Sequence, residues 1–316
     1  MTPRQRSLLA AAGTGIQVGL ALVASRFVVA QLGPFSLAWL RYAIGIFFLL
    51  PFLLAMPRPR FARGDLLPIA VLGVIQFGLL IALLNFALAR IPAGLTALLF
   101  ATFPLQAMVM AAAMKLERLG LASAAGATLG LIGVALALGE RLMLAQDQAA
   151  DWLGIAAALA AGGCGALCAI LYRPYLQRYP TLPVGAVAMA AAALALLPPA
   201  LIEGMPAALP ALAAEHWGAV LFIALASGAG YPMWLYALRH APATQASMFQ
   251  SLSPITAAIL GALILGEAVS PGAIAGLAVV VLGLWLALWT RPPVQAQALP
   301  TPSTSGTNRT GNNVSL

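Results

Sequence analysis

Charge is scarce in this sequence. Of its 316 residues, 8% are Asp, Glu, Lys or Arg and 62% are hydrophobic, whereas a water-soluble domain carries about 25% charged residues. So few charges exclude a chain with a fully solvated surface. Cysteine is almost absent. Cys164 and Cys168 lie in one apolar run on one helical face, with neither a disulfide framework nor a zinc pattern, and read as small packing residues. The only histidines, His216 and His240, fall in expected linkers. No H-E-x-x-H, G-x-S-x-G, Walker A or dinucleotide fingerprint occurs, and no pair of acids falls within an apolar run. The sequence offers no catalytic residue, no metal site and no cofactor, so it does not read as an enzyme.

Long apolar runs are abundant. Many approach the roughly 20 residues a helix needs to span a bilayer. They do not alternate apolar and polar residues, which excludes a transmembrane barrel. The expected fold is an all-α polytopic membrane protein with ten transmembrane helices: Ser7–Val29, Pro34–Phe52, Leu66–Leu88, Leu95–Met114, Leu121–Leu138, Trp152–Leu171, Pro183–Ile202, Trp217–Leu238, Ala246–Leu265 and Pro271–Thr290. Pro34, Pro183 and Pro271 suit a first helical turn, where a missing N–H costs nothing. Ser270 is placed to cap the last helix.

Basic residues set the orientation. Arg4, Arg6, Arg58, Arg60, Arg63, Lys115, Arg118, Arg173, Arg178, Arg239, Arg291 and Arg309 fall on one side of this scheme, and only Arg26, Arg90 and Arg141 on the other. The rule makes the basic side cytoplasmic, with both termini inside the cell (inner) membrane. It also accounts for the net charge of +8 without nucleic acid. Residues 291–316, rich in Pro, Ser, Thr, Gly and Asn, read as a disordered cytoplasmic tail.

The chain also repeats itself. One fixed offset carries Pro92 onto Pro242, Pro104 onto Pro254, Glu117 onto Glu267, Gly126 onto Gly276 and Gly133 onto Gly283. This defines two units, 7–138 and 152–290. Five spans per unit is an odd number, so the second unit enters the membrane inverted, a design recurrent among transporters. Gly126-x-x-x-Gly130 and Gly272-x-x-x-Gly276 mark close helix approach, within one chain or in a homodimer.

These features resemble the EamA-type members of the drug/metabolite transporter superfamily. The resemblance rests on Pro104 with Leu116-Glu117-Arg118-Leu119, on Pro254 with Ile264-Leu265-Gly266-Glu267, and on Pro34 followed by Arg41. The Trp-Gly pair usual near the start of that family's first helix is replaced by Gly13-Thr14-Gly15-Ile16-Gln17. The resemblance implies ten helices, a central cavity lined by helices 1–4 and 6–9, and peripheral helices 5 and 10. It also implies transport of amino acids, similar small metabolites or drugs, often outward.

Candidate site residues follow from cost. Polar side chains at mid-membrane depth are expensive unless partnered or facing a cavity. Gln17, Gln76, Gln106, Gln250 and Ser253 are such residues, and read either as an uncharged cavity lining or as interhelical hydrogen bonds. Pro104 and Pro254 interrupt corresponding helices, a pointer to a transport site. Pro104 also frees the carbonyl of Phe100. Tyr231 and Trp234, after a Ser227–Gly230 break, are either cavity walls or interfacial aromatics. Arg41 is either an outward-reaching structural residue or an anion contact. Glu117 and Glu267 are helix caps or gate contacts. No acid lies at mid-depth, which argues against a proton relay. The expected function is a secondary transporter of small polar metabolites, working by alternating access in the export direction. The alternative is a non-transporting scaffold or receptor.

Overall fold

The computed structural model describes residues 3–56, 60–115, 121–144, 151–240, 249 and 252–289. Among these residues the regular structure is entirely helical. The principal helices are α1 (Pro3–Leu32), α2 (Pro34–Ala55), α3 (Arg63–Arg90), α4 (Ala93–Ala113), α5 (Leu121–Leu144), α6 (Trp152–Leu171), α7 (Thr181–Ile202), α8 (Ala214–His240), α9 (Leu252–Leu265) and α10 (Pro271–Trp289). Seven of them, α1–α4 and α6–α8, are long and apolar enough to cross a membrane. Short helices, Arg173–Arg178 and Met205–Ala208, decorate the connections. The expected tail, Glu117 and Gln250 lie outside the described residues.

Local chemistry explains most boundaries. Gly33 adopts a positive φ of 85°, and Pro34 opens α2 behind it. Asp151 caps α6 by accepting from the Gly154 N–H at 2.9 Å, and Ser270 caps α10 by accepting from the Ala273 N–H at 3.1 Å. In α3, residues Val74–Leu79 widen into a π-helical turn containing Gln76, a local feature often found at functional sites. In α4 the helix stops at Ala101–Thr102 and restarts at Phe103, with Pro104 in the new first turn.

Two expectations change. Both histidines belong to α8, in its first and last turns, because that helix runs from Ala214 to His240. The Ser227–Gly230 stretch does not break α8. Its small residues serve close packing instead. A Cβ on Gly228 would lie 3.2 Å from the Gly45 carbonyl oxygen, and one on Gly230 would meet Gln17 at 2.4 Å.

The helices pack in a pattern that reads the same in both halves. α1 lies against α8 and α9, and α6 against α3 and α4. α2 packs on α7 and α8, while α7 packs on α2 and α3. α5 packs on α10 through glycine faces. A Cβ on Gly133 would sit 2.6 Å from the Gly276 carbonyl oxygen, and one on Gly283 2.6 Å from the Gly126 oxygen. The small-residue pattern is thus used between helices of one chain. Exposed apolar side chains ring the outside, including Phe47, Phe52, Leu54, Leu67 and Leu263. Such a surface would aggregate in water and is what a helix presents to lipid.

Candidate functional site

A cavity of about 100 Å³ lies at the centre of the bundle. α1 supplies Thr14, Gln17 and Leu22; α2 supplies Arg41 and Tyr42; α3 supplies Gln76 and Phe77; α4 supplies Phe100 and Phe103. α6 contributes Gly165, and α8 contributes Ser227, Tyr231 and Trp234. Helical spacing puts Ser227, Tyr231 and Trp234 on one face of α8. Phe100 reaches the cavity just before the interruption in α4. Gly165 keeps the opposite wall thin, since a Cβ there would lie 2.9 Å from the Phe103 ring.

The apolar wall is aromatic. Phe77 meets Tyr231 edge to face at 4.0 Å between centroids, and Phe103 meets Trp234 at 6.0 Å. Such arrangements fix ring orientation. The polar side of the cavity centres on Arg41, 8% exposed and turned into the protein. Its Nε donates to Ser227 Oγ at 2.5 Å. Ser227 Oγ donates in turn to the Ile223 carbonyl at 2.6 Å. The Tyr231 hydroxyl is buried next to that of Tyr172, and neither makes a well-formed hydrogen bond among the described residues.

Of the sequence candidates, Gln17, Gln76, Phe100, Tyr231, Trp234 and Arg41 converge on this cavity. The other described candidates do not. Gln106 turns toward α6 and donates to Thr102 Oγ1 at 2.9 Å and to the Leu159 carbonyl at 3.2 Å. Pro104 is buried away from the cavity lining. Ser253 is fully buried, with its hydroxyl unpartnered, and its backbone oxygen lies beside Gly19 of α1. Pro254 lines a second, smaller cavity of about 60 Å³ between α4 and α9, shared with Pro92 and Glu267.

Glu267 is a helix cap, but of α4 rather than of α10. Its two carboxylate oxygens accept from the Ala93 N–H at 3.1 and 3.0 Å, and Arg26 Nε lies 3.6 Å away. Arg26 also donates to the Leu88 carbonyl. Sequence reasoning missed Glu203, which does the same for α2. Its carboxylate accepts from the Ser36 N–H at 2.6 Å, from Ser36 Oγ at 2.7 Å and from the Phe35 N–H at 3.3 Å. Carboxylates are favoured at helix N-termini, where free amides and the dipole converge. Arg90 and Asp151 pair at 2.9 Å at the same end of the bundle. The N–H of Gly154, and then Arg90, hold the Asp151 carboxyl below the usual carboxylate range. At the opposite end Asp65 pairs with Arg178 at 2.7 Å and accepts from the Tyr179 hydroxyl at 2.5 Å.

The chain's sequence and fold have known counterparts. The chain is 32% identical over 238 residues to a probable terminal-alkyne amino-acid exporter from Streptantibioticus cattleyicolor, covering 74% of this chain and 76% of that one. It is 23% identical over 276 residues to an uncharacterized transporter from Archaeoglobus fulgidus, covering 86% of this chain and 95% of the relative. A crystal structure 23% identical in sequence superposes with a TM-score of 0.66 over 90% of this chain and 96% of the other, which shows a shared fold. The profile of the EamA-like transporter family matches residues 5–139 and again residues 150–289. The chain therefore belongs to the EamA-like transporter family and is an integral membrane transporter, not an enzyme.

Proposed function

We propose that the chain is a secondary transporter that exports small polar metabolites of the amino-acid type by alternating access. The observation that carries this reading is the relation between its halves. Arg26, near the end of α1, bonds to Leu88 at the end of α3, and Arg90 beside it bonds to Asp151 at the start of α6. The start of α6 therefore lies where α1 finishes, which supports two inverted five-helix repeats, 7–138 and 152–290. The exchanged packing pairs support the same pseudo-twofold. Inverted repeats around a central site let one carrier open to either side by swapping the conformations of its halves. A scaffold or receptor gains nothing from that symmetry or from a polar, aromatic-walled cavity.

The basic side of the positive-inside scheme is the end that carries Asp65 and Arg178, with both termini in the cytoplasm of a cell whose inner membrane holds the protein. Export is favoured by the exporter among its relatives. The cavity suits solutes far smaller than the 300–1,000 Å³ pockets that hold drug-sized ligands. The test is the small-molecule profile of medium around cells expressing the chain, against cells expressing Gly230→Leu at equal membrane abundance. That side chain would displace Gln17 and fill the cavity. Solutes that accumulate outside only with the unaltered chain are the expected result. Identical profiles would count against export.

A further inference from the structure

Among the described residues Arg41 has no counter-ion. Every acid whose side chain is described, beyond the exposed Glu215, is engaged elsewhere: Asp65 with Arg178, Asp151 with Arg90, Glu203 with Ser36, and Glu267 with Ala93 and Arg26. None lines the cavity. Only Nε of the guanidinium is hydrogen-bonded, to Ser227, so both Nη groups lack a hydrogen-bond partner among the described residues, and the Tyr42 ring, 5.9 Å from Cζ, carries no charge to neutralise it. A buried charge without a partner is costly and is retained where something else neutralises it.

We infer that the transported solute carries a carboxylate, which docks on the Nη edge of Arg41, and a compact apolar body, which lies against Phe77, Phe103 and Trp234. This rests on the transporter reading and names its substrate class. The planar fork of arginine matches a carboxylate through two parallel bonds. The Tyr231 hydroxyl, in the same cavity and next to the buried hydroxyl of Tyr172, supplies a third donor. Size agrees. At roughly 10–15 Å³ per water-sized site, the cavity of about 100 Å³ holds on the order of seven to ten such sites, enough for a five-carbon acid. A solute with only a cationic group would add a second uncompensated charge.

The probes are valerate, its neutral amide valeramide, pentylamine and norvaline, each tested for thermal stabilisation of the purified full-length protein and for counterflow into proteoliposomes. Valerate is expected to stabilise and to exchange, with valeramide and pentylamine inert. Norvaline separates the two sources of a carboxylate: activity with both acids marks a general carboxylate site, and norvaline alone marks an α-amino acid. Arg41→Gln is expected to raise the half-saturating concentration of the active acid about tenfold or more, the effect of losing a bond to a charged group. It should leave the unliganded protein at least as stable. If that variant does not fold, the valerate–valeramide pair on the unaltered protein decides alone, together with norvaline. Equal action of valeramide and valerate overturns the inference while leaving transport standing, as does an unchanged Arg41→Gln response. Stabilisation by an acid without counterflow of any probe would keep the anion site and sink the transporter reading. Inertness of valerate and norvaline alike overturns the inference.

Discussion

Replacing Glu267 by Gln tests how the bundle is closed at the end where α4 begins. The substitution keeps size and one acceptor oxygen for the Ala93 N–H but removes the charge that the Ala93 N–H and Arg26 share. A hydrogen bond to a charged group contributes about 1.5–3 kcal/mol and a neutral one about 0.5–1.5, so that contact loses roughly 1 kcal/mol. The Arg26 pair is longer, at 3.6 Å, and its arginine is 31% exposed; partly solvated pairs contribute about 0–1 kcal/mol. The total is about 1–2 kcal/mol, carried mainly by the cap. Thermal unfolding can be followed with a thiol-reactive dye in a Cys164→Ala background, because Cys168 is fully buried in α6 while Cys164 is half-buried. The midpoint should fall by about 2–6 °C for Glu267→Gln. The reasoning is refuted if Glu267→Gln melts with the unaltered protein.

Other outcomes follow from the same geometry. Gly133→Ala and Gly283→Ala each force a methyl to 2.6 Å from a backbone oxygen of the partner helix, and α5 must separate from α10. Each should lose about 1–3 kcal/mol, read as a lower melting midpoint, whereas Gly218→Ala, with open space around it, should not. The Asp151 carboxyl is held below its ordinary value by Gly154 and Arg90, so its contribution is present above about pH 4 and is lost as pH falls below that. Asp151→Asn should remove this acid-sensitive part, seen as a flatter midpoint-versus-pH curve between neutral pH and pH 3. For topology, a cysteine at Trp152, which is 58% exposed, should react with an impermeant reagent from outside intact cells, and one at Arg63 only after permeabilisation, both in a background without Cys164 and Cys168. The reverse pattern would invert the orientation.

Much of this architecture was legible in the sequence because its causes are local or periodic. Apolar runs mark helices, Gly33-Pro34 and Ser270-Pro271 mark starts, and the fixed offset of Gly126 and Gly133 to Gly276 and Gly283 announces the repeat, though not that α5 and α10 meet. Polar residues in apolar runs led to Gln17, Gln76 and Arg41, because membrane insertion makes such residues costly wherever they face. What stayed hidden depends on contacts between distant segments. Glu267 precedes α10 in sequence, yet its partner is Ala93. Glu203 looked like an ordinary acid at a helix end until Ser36 was brought beside it. Gln106 had the same sequence credentials as Gln17, but a bond to Leu159 of α6 turns it from the cavity. The Ser227–Gly230 stretch misled for a physical reason: glycine marks a close neighbour as readily as a flexible joint, and here Gly45 and Gln17 are those neighbours.

The division of labour between the halves bears on mechanism. The packing is close to symmetric: α1 with α8 answers α6 with α3, and α5 meets α10 through reciprocal glycines. The chemistry is not. Arg41 sits in the first half, and the same offset that pairs the glycines leads from it to Ala191. On the proposed inverted-repeat reading the frame has two arrangements, related by the pseudo-twofold and of similar packing energy, which alternating access needs. On that reading an asymmetric charge keeps one fixed binding point while the walls exchange roles. If the solute neutralises Arg41, the loaded cavity can close at lower cost than the empty one, because closing the empty cavity buries the guanidinium without a counter-ion. Exchange of solute across the membrane should then outpace net efflux, a difference readable by comparing proteoliposomes with and without the same acid on the far side. Equal rates would mean that the empty carrier returns freely and that the charge of Arg41 is met by water during the return.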